Sequence, residues 1–155
     1  VEGEVHSINI SSSGGVPKLP IKTTVVNFEG VEGDYNKFRT ERRESDPRRA
    51  VSIFSLERIT QLREEGHPIG VGTAGENFTI EGIDWTNLEV GMKIRLGSTI
   101  ILLSEPCAPC NKIGGSFQDR NFSRVDHEKE KGWSRWSASV IEEGIVSVGD
   151  SVYFI

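Results

Sequence analysis

Short runs rich in Val, Ile, Thr and Phe recur along the chain, several with apolar and polar positions in alternation, and glycine falls between them. Alternation of period two, bounded by turn residues, predicts strands. The runs are Val5 to Ile10, Lys22 to Phe28, Ala50 to Ser55, Glu76 to Ile80, Met92 to Leu96, Thr99 to Ser104, Ser137 to Glu142 and Ser151 to Ile155. Between the fifth and sixth, Gly97-Ser98 is a two-residue connection with glycine first, the sequence of a type II′ hairpin. One segment follows helical spacing instead. Leu56, Ile59 and Leu62 repeat on one face, Ser55 stands ready to cap them, and Gly66 can end the helix. A weaker helical pattern runs from Phe117 to Glu130. Tyr35 to Arg49 and Ile113 to Trp136 otherwise read as irregular. Many short strands with long excursions predict a mainly β fold, a closed or nearly closed barrel with a few short helices, whose loops build a site at one end.

Composition narrows this picture. With 155 residues, 26% of them charged and 35% hydrophobic, the chain is expected to form a single domain over 1–155. At that length a fold removes roughly 68–70% of the unfolded surface, so the two cysteines are not required as a scaffold. Eighteen basic against 23 acidic residues leave a net charge of −5, the opposite of a concentrated nucleic-acid footprint. No run approaches the roughly 18 apolar residues of a membrane helix, and the first twenty residues lack the order of a signal peptide. A cytoplasmic protein with neither nucleic-acid nor membrane partner is the expectation.

The densest chemical signal is Glu105-Pro106-Cys107-Ala108-Pro109-Cys110-Asn111-Lys112, directly after an apolar strand. A C-x-P-C pair at a helix start serves dithiol redox chemistry, but Gly114-Gly115 interrupts a following helix at once. Zinc needs about four ligands, and the three histidines, His6, His67 and His127, are far apart in sequence. Buried, inert thiols are the third reading, opposed by two prolines and Lys112, which make the loop rigid and polar. Gly72-Thr73-Ala74-Gly75-Glu76-Asn77 is a second signal: Gly75 permits close backbone approach, and Glu76 and Asn77 offer polar groups at a strand mouth. Gly30-Val31-Glu32-Gly33-Asp34 is a turn in which Asp34 can bond its own backbone. Gly14-Gly15-Val16-Pro17-Lys18 lacks the spacing of a phosphate loop. Arg42, Arg43, Arg48 and Arg49 suit either solvent or an anionic ligand, and Trp133, Arg135 and Trp136 either pack a loop edge or sandwich a planar group.

Taken in order, these fragments, with Arg49-Ala50-Val51-Ser52-Ile53, Gly82-Ile83-Asp84, Leu88-Glu89-Val90-Gly91, Gly132-Trp133 and Gly144 to Asp150, resemble the MOSC domain, the family related to the C-terminal domain of molybdenum-cofactor sulfurases. The resemblance implies a barrel similar to the pyruvate-kinase insert domain and a pocket for a molybdenum pyranopterin. It makes Cys110 a sulfur carrier or metal ligand, because the family's Pro-Arg-x-Pro-Cys places its cysteine there. Cys107 stands where that pattern has arginine, which raises the prospect of a Cys107–Cys110 disulfide. Cofactor contacts are expected from Lys18, Asp34, Arg49, Glu76, Asn77, Lys112 and Arg135, with Cys110 at the floor of a pocket lined by Asp34, Glu76, Asn77 and Lys112. Ser45-Asp46-Pro47 in place of a His-Gly-Gly run is similar to short free-standing members. Two activities follow from the resemblance: reduction of N-hydroxylated substrates with an electron-donor partner, or persulfide transfer from a cysteine desulfurase. Pyridoxal phosphate enters only through that partner. A non-enzymatic cofactor-binding module and a dithiol redox protein are the rivals.

Overall fold

The computed structural model describes residues 2–34 and 46–155; Arg42 and Arg43 lie outside them. Among the described residues the strands are β1 (Glu2–Ile10), β2 (Leu19–Ile21), β3 (Thr23–Asn27), β4 (Gly30–Val31), β5 (Val51–Ser55), β6 (Phe78–Glu81), β7 (Lys93–Leu96), β8 (Thr99–Pro106), β9 (Trp136–Glu142), β10 (Gly144–Ser147) and β11 (Ser151–Phe154), with one α-helix, α1 (Leu56–Glu64). The ring β1-β11-β7-β8-β9-β5-β6 closes on β1 as a seven-stranded barrel, with β2 added beside β1. Closure removes the exposed edges that a flat sheet of this size would present. Strands β10, β3 and β4 form a separate small sheet. Among the described residues no helix is long and apolar enough to cross a membrane.

Alternation accounts for the barrel wall. Along β8 the residues Thr99, Ile101 and Leu103 are buried, while Ile100, Leu102 and Ser104 are half-buried, the inward and outward faces of one strand. The β7–β8 hairpin turns at Gly97-Ser98 between the paired Leu96 and Thr99. Gly97 has φ 56° and Ser98 is not left-handed, as a type II′ turn requires. The pair β5–β6 is parallel, so a crossover must join the strands, and α1 supplies it. The Ser55 hydroxyl accepts the Arg58 N–H at 3.1 Å. At the other end Gly66, at φ 100°, donates to Arg63 O, and His67 N–H donates to Leu62 O. This Schellman motif needs the left-handed glycine. Ile59 and Leu62 carry the buried stripe of α1.

The weaker helix expected over Phe117 to Glu130 is absent. The chain there makes 3-10 turns at Gln118–Arg120 and Phe122–Val125, and Asp119 and Arg120 have φ 53° and 56°. Two successive left-handed residues with side chains cost on the order of 1–2 kcal/mol each and stop any α-helix. The tertiary structure outweighs the pattern in three ways. Gln118 N–H donates to His67 Nδ1 at 3.0 Å, Arg124 makes a two-bond contact with Glu65 at 2.8 Å, and Phe117 and Val125 are buried. Strands β2, β4 and β10, which the apolar pattern left out, are pieces of two to four residues, too short to show a period; β2 and β4 pair with strands close in sequence, and β10 pairs with the distant β3.

Candidate functional site

A single row of backbone pairs crosses the barrel: Ile8 faces Phe78, Phe78 faces Ile53, Ile53 faces Trp136, and Trp136 faces Pro106. All but Pro106 are fully or nearly fully buried. The adjacent row points to the opposite face of the strands, and there the residues are polar: Asn9, Asn77, Ser52 and Ser137. Asn77 Oδ1 accepts the Ser52 N–H at 3.1 Å, and Asn77 Nδ2 donates to Asn9 O at 3.3 Å and to Asp34 Oδ2 at 2.9 Å. Cys107 Sγ lies 3.1 Å from Ser137 Oγ.

Asp34 is the hub of this network and does not simply bond its own turn. Its Oδ1 accepts the Ser11 N–H at 2.8 Å, and Lys18 Nζ donates to both of its oxygens at 2.6 Å. The Lys18 and Asp34 side chains are only 9% and 8% exposed, so this is a buried ion pair that also satisfies an amide and a backbone N–H. Glycine at position 72 lets the loops approach: Lys18 N–H donates to Gly72 O at 3.0 Å, and a Cβ on residue 72 would lie 2.4 Å from Lys18 O.

Glu76 is completely buried. Its Oε2 accepts from Gly72 N–H at 3.2 Å and from Thr79 Oγ1 at 2.9 Å, while Oε1 has no partner. Desolvation raises its pKa above the ordinary carboxylate value, against the opposing hydrogen bonds and the charge of Arg135. Because the folded-state value lies above the unfolded one, the folded state is favoured most while Glu76 stays protonated, and this stability is lost as pH rises from 4.5 through the folded value. Glu76→Gln keeps the shape and cannot ionise. Urea unfolding is expected to show a midpoint that falls with rising pH in the parent and much less in Glu76→Gln; equal slopes would mean that Glu76 ionises freely.

The loops around this network are tied to one another. Arg135 Nη1 donates to Ala74 O at 3.0 Å and Nη2 to Ala108 O at 3.4 Å, which joins the Gly72–Asn77 loop to the cysteine loop. Ser116 Oγ donates to Thr73 O at 3.2 Å, and Cys107 N–H donates to Arg135 O at 2.8 Å. Both thiols are free: Cys107 is buried and Cys110 exposed. Cys110 precedes a 3-10 run, Asn111–Ser116, and its side chain makes no capping bond; no α-helix follows, as Gly114-Gly115 led one to expect.

The residues expected from the sequence therefore divide. Lys18, Asp34 and Asn77 form one closed network, with Glu76 bonded beside it through Thr79 and Asn9. Arg49 pairs with Glu105 at 2.8 Å. Cys110 and Lys112 are exposed on the loop that Arg135 holds. Among the described residues no group of three His, Cys, Asp or Glu is arranged to hold a metal ion. His67 accepts from Gln118, and His127 packs edge-on against Trp136 at 5.7 Å between ring centres. Sequence reasoning missed Asn9 and Ser52, whose only signal was a polar residue inside a strand pattern, and Arg120, which the structure brings to the cysteine loop from ten residues downstream: its Nη2 donates to Asn111 O at 2.7 Å.

A small seven-stranded barrel carrying such loops defines a class of domain, and the comparisons identify it. The MOSC domain model matches residues 40–153, and the chain belongs to that family, which is associated in general with the molybdenum cofactor. The uncharacterized protein YflK of Bacillus subtilis is 28% identical over 137 residues, 87% of this chain and 60% of YflK. Protein YiiM of Escherichia coli is 23% identical over 150 residues, 94% of this chain and 65% of YiiM. The chain thus spans less than two thirds of the length of these curated relatives. Among solved structures, the YuaD protein of Bacillus subtilis superposes with a TM-score of 0.75 at 20% identity, covering 98% of this chain and 94% of that one. YiiM of Escherichia coli gives 0.71 at 22%, covering 100% and 70%. These likenesses establish the fold.

Proposed function

We propose that this chain acts as a sulfur carrier of the molybdenum-cofactor system, with Cys110 as the residue that accepts and passes on sulfur. One observation carries the reading: Cys110 is the exposed thiol of the pair, on a loop whose backbone is tied down by Arg135, whereas Cys107 is buried against Ser137. A carrier must be reached by a partner's sulfur-bearing site. The Cys110 thiolate attacks the outer sulfur of a partner persulfide; a new S–S bond forms on Cys110, and the partner's cysteine leaves as thiolate. A cysteine desulfurase is the partner with that chemistry.

The donor set also suits a molybdenum pterin: an exposed soft thiol for the metal, and Lys112 and Arg135 for an anionic phosphate. When bound, that cofactor would supply oxygen-atom transfer, the basis of a reductase acting on N-hydroxylated compounds. Lys18 and Arg49 are less suited, since their charges already meet Asp34 and Glu105. Asp34 and Asn77 likewise have their polar atoms engaged within the protein, so they shape the loops more than they face a ligand.

Metal-free protein incubated with a cysteine desulfurase and cysteine, then weighed intact, is expected to gain one sulfur on Cys110 and to pass it to a molybdenum enzyme. No gain, together with reduction of an N-hydroxylated base by molybdenum-loaded protein, would reject the carrier in favour of the reductase.

A further inference from the structure

Arg120 occupies a costly position for which the sequence pattern offers no explanation. It and Asp119 are the described non-glycine residues with left-handed backbone, at φ 56° and 53°, and the bend turns the Arg120 side chain back onto the loop that follows Cys110. There Nη2 donates to Asn111 O at 2.7 Å, and the guanidinium lies over Gly114. A Cβ on residue 114 would sit 2.5 Å from Arg120 Nη2 and 2.6 Å from its Cζ. Gly114 does not have a left-handed φ, so what its missing side chain provides is room for the guanidinium. Backbone strain of this kind persists only where surrounding structure holds it, and it concentrates at functional sites.

The charge around this loop is also uneven. Among the described residues Lys112, Arg120 and Arg135 form no ion pair, as is true also of Lys22, Arg58, Arg63, Lys93, Arg95 and Lys129; what sets these three apart is that they lie on, or donate to, the loop that carries Cys110. Arg135 donates to the carbonyl two residues before Cys110, and Arg120 to the carbonyl one residue after it. One bond from Arg120 leaves most of its five N–H donors unused. In a chain of net charge −5, three cations without an ion pair on one loop that carries an exposed thiol are an electrostatic feature that favours a negative ligand.

We propose that Arg120, seated over Gly114, is a specificity-determining residue of the Cys110 site and selects reaction partners that carry an oxyanion group, a carboxylate or phosphate, next to the sulfur or metal that meets Cys110. The proposal deepens the reading of Cys110 as the reacting group and rests on it in that respect. Gly114→Ala expels the guanidinium while leaving arginine in the chain, and the displaced atoms are the far end of a flexible side chain. Arg120→Gln removes the charge itself.

The test uses the Cys107→Ser protein, in which Cys110 is the only thiol. Its rate with 5,5′-dithiobis(2-nitrobenzoate), a dianionic disulfide, is compared with its rate with the neutral 2,2′-dithiodipyridine. Any change in Cys110 reactivity affects both rates, so their ratio isolates recognition of negative charge. Both Gly114→Ala and Arg120→Gln are expected to lower the anionic-to-neutral ratio about fivefold, with circular dichroism unchanged, and Arg120→Lys is expected to restore part of it. A ratio unaltered by both substitutions in folded protein overturns the proposal. Neither rate needs molybdenum or a desulfurase. Sulfur transfer that succeeds with an unaltered ratio therefore rejects this inference alone, and an altered ratio without sulfur transfer or metal binding rejects the carrier and reductase readings alone.

Discussion

Asp34→Ala is expected to destabilise the fold by about 3–5 kcal/mol, the cost of stranding one member of a buried ion pair. Lys18 Nζ would keep its position beneath the loops with no counter-charge, since both of its hydrogen bonds among the described residues, at 2.6 Å, go to Asp34. The Ser11 N–H would lose its acceptor as well, and Asn77 Nδ2 would keep only Asn9 O. Against a total stability of about 5–15 kcal/mol for a domain, this is a large share. Removing both charges together, as Lys18→Met with Asp34→Leu, is expected to cost less than Asp34→Ala alone, because no bare charge remains. Urea unfolding of the two variants decides it. A loss below about 1 kcal/mol for Asp34→Ala is what an exposed pair would give, and would mean that the loops open to water around Lys18.

The largest functional effect is expected from Cys110→Ser. A serine hydroxyl forms no persulfide and is a poor ligand for a soft metal, so the sulfur gain seen by mass, and any molybdenum retained by protein made in a host that synthesises the pterin, should both disappear. Stability should change by no more than about 0.5 kcal/mol, as at other exposed positions. Cys107→Ser should behave in the opposite way. The replacement hydroxyl can keep a hydrogen bond to Ser137, sulfur acceptance should persist, and the effect should fall on stability, because a small apolar group in a buried site becomes polar. Equal loss of function in the two variants would point to a dithiol mechanism that uses both sulfurs.

Much of this molecule was legible before its structure. The Ser55 cap, the Ile59 and Leu62 stripe and Gly66 specify α1 through contacts within a few residues, and Gly97-Ser98 specifies a hairpin in the same local way. Eight strand segments were readable because alternation reports a half-buried face. The joint order of the fragments from Gly14–Lys18 through Gly72–Asn77 and Pro106–Lys112 to Gly144–Asp150, along nearly the whole chain, indicated the MOSC family. The candidate site was legible as a set of residue types, and less so as an arrangement. Lys18, Asp34, Glu76 and Asn77 were expected to face a cofactor. In the folded chain Lys18, Asp34 and Asn77 bond one another, and Glu76 is buried beside them.

Local chemistry thus determined the helix, the hairpin, the strand-rich class and which cysteine carries the family's motif, because capping, turn conformation and side-chain period act over a few residues. Only the tertiary structure decided the rest. Barrel closure through β1 and β11 joins the two ends of the described chain, and the parallel β5–β6 pair depends on a crossover, so neither leaves a local mark. The helical pattern after Phe117 yielded to Glu65 and His67, which hold that segment from the turn just after α1, across more than fifty residues of sequence. The pairing of Lys18 with Asp34 and the return of Arg120 to Gly114 have the same origin: a charge takes whichever partner the fold brings within reach, and that partner has no fixed spacing along the chain.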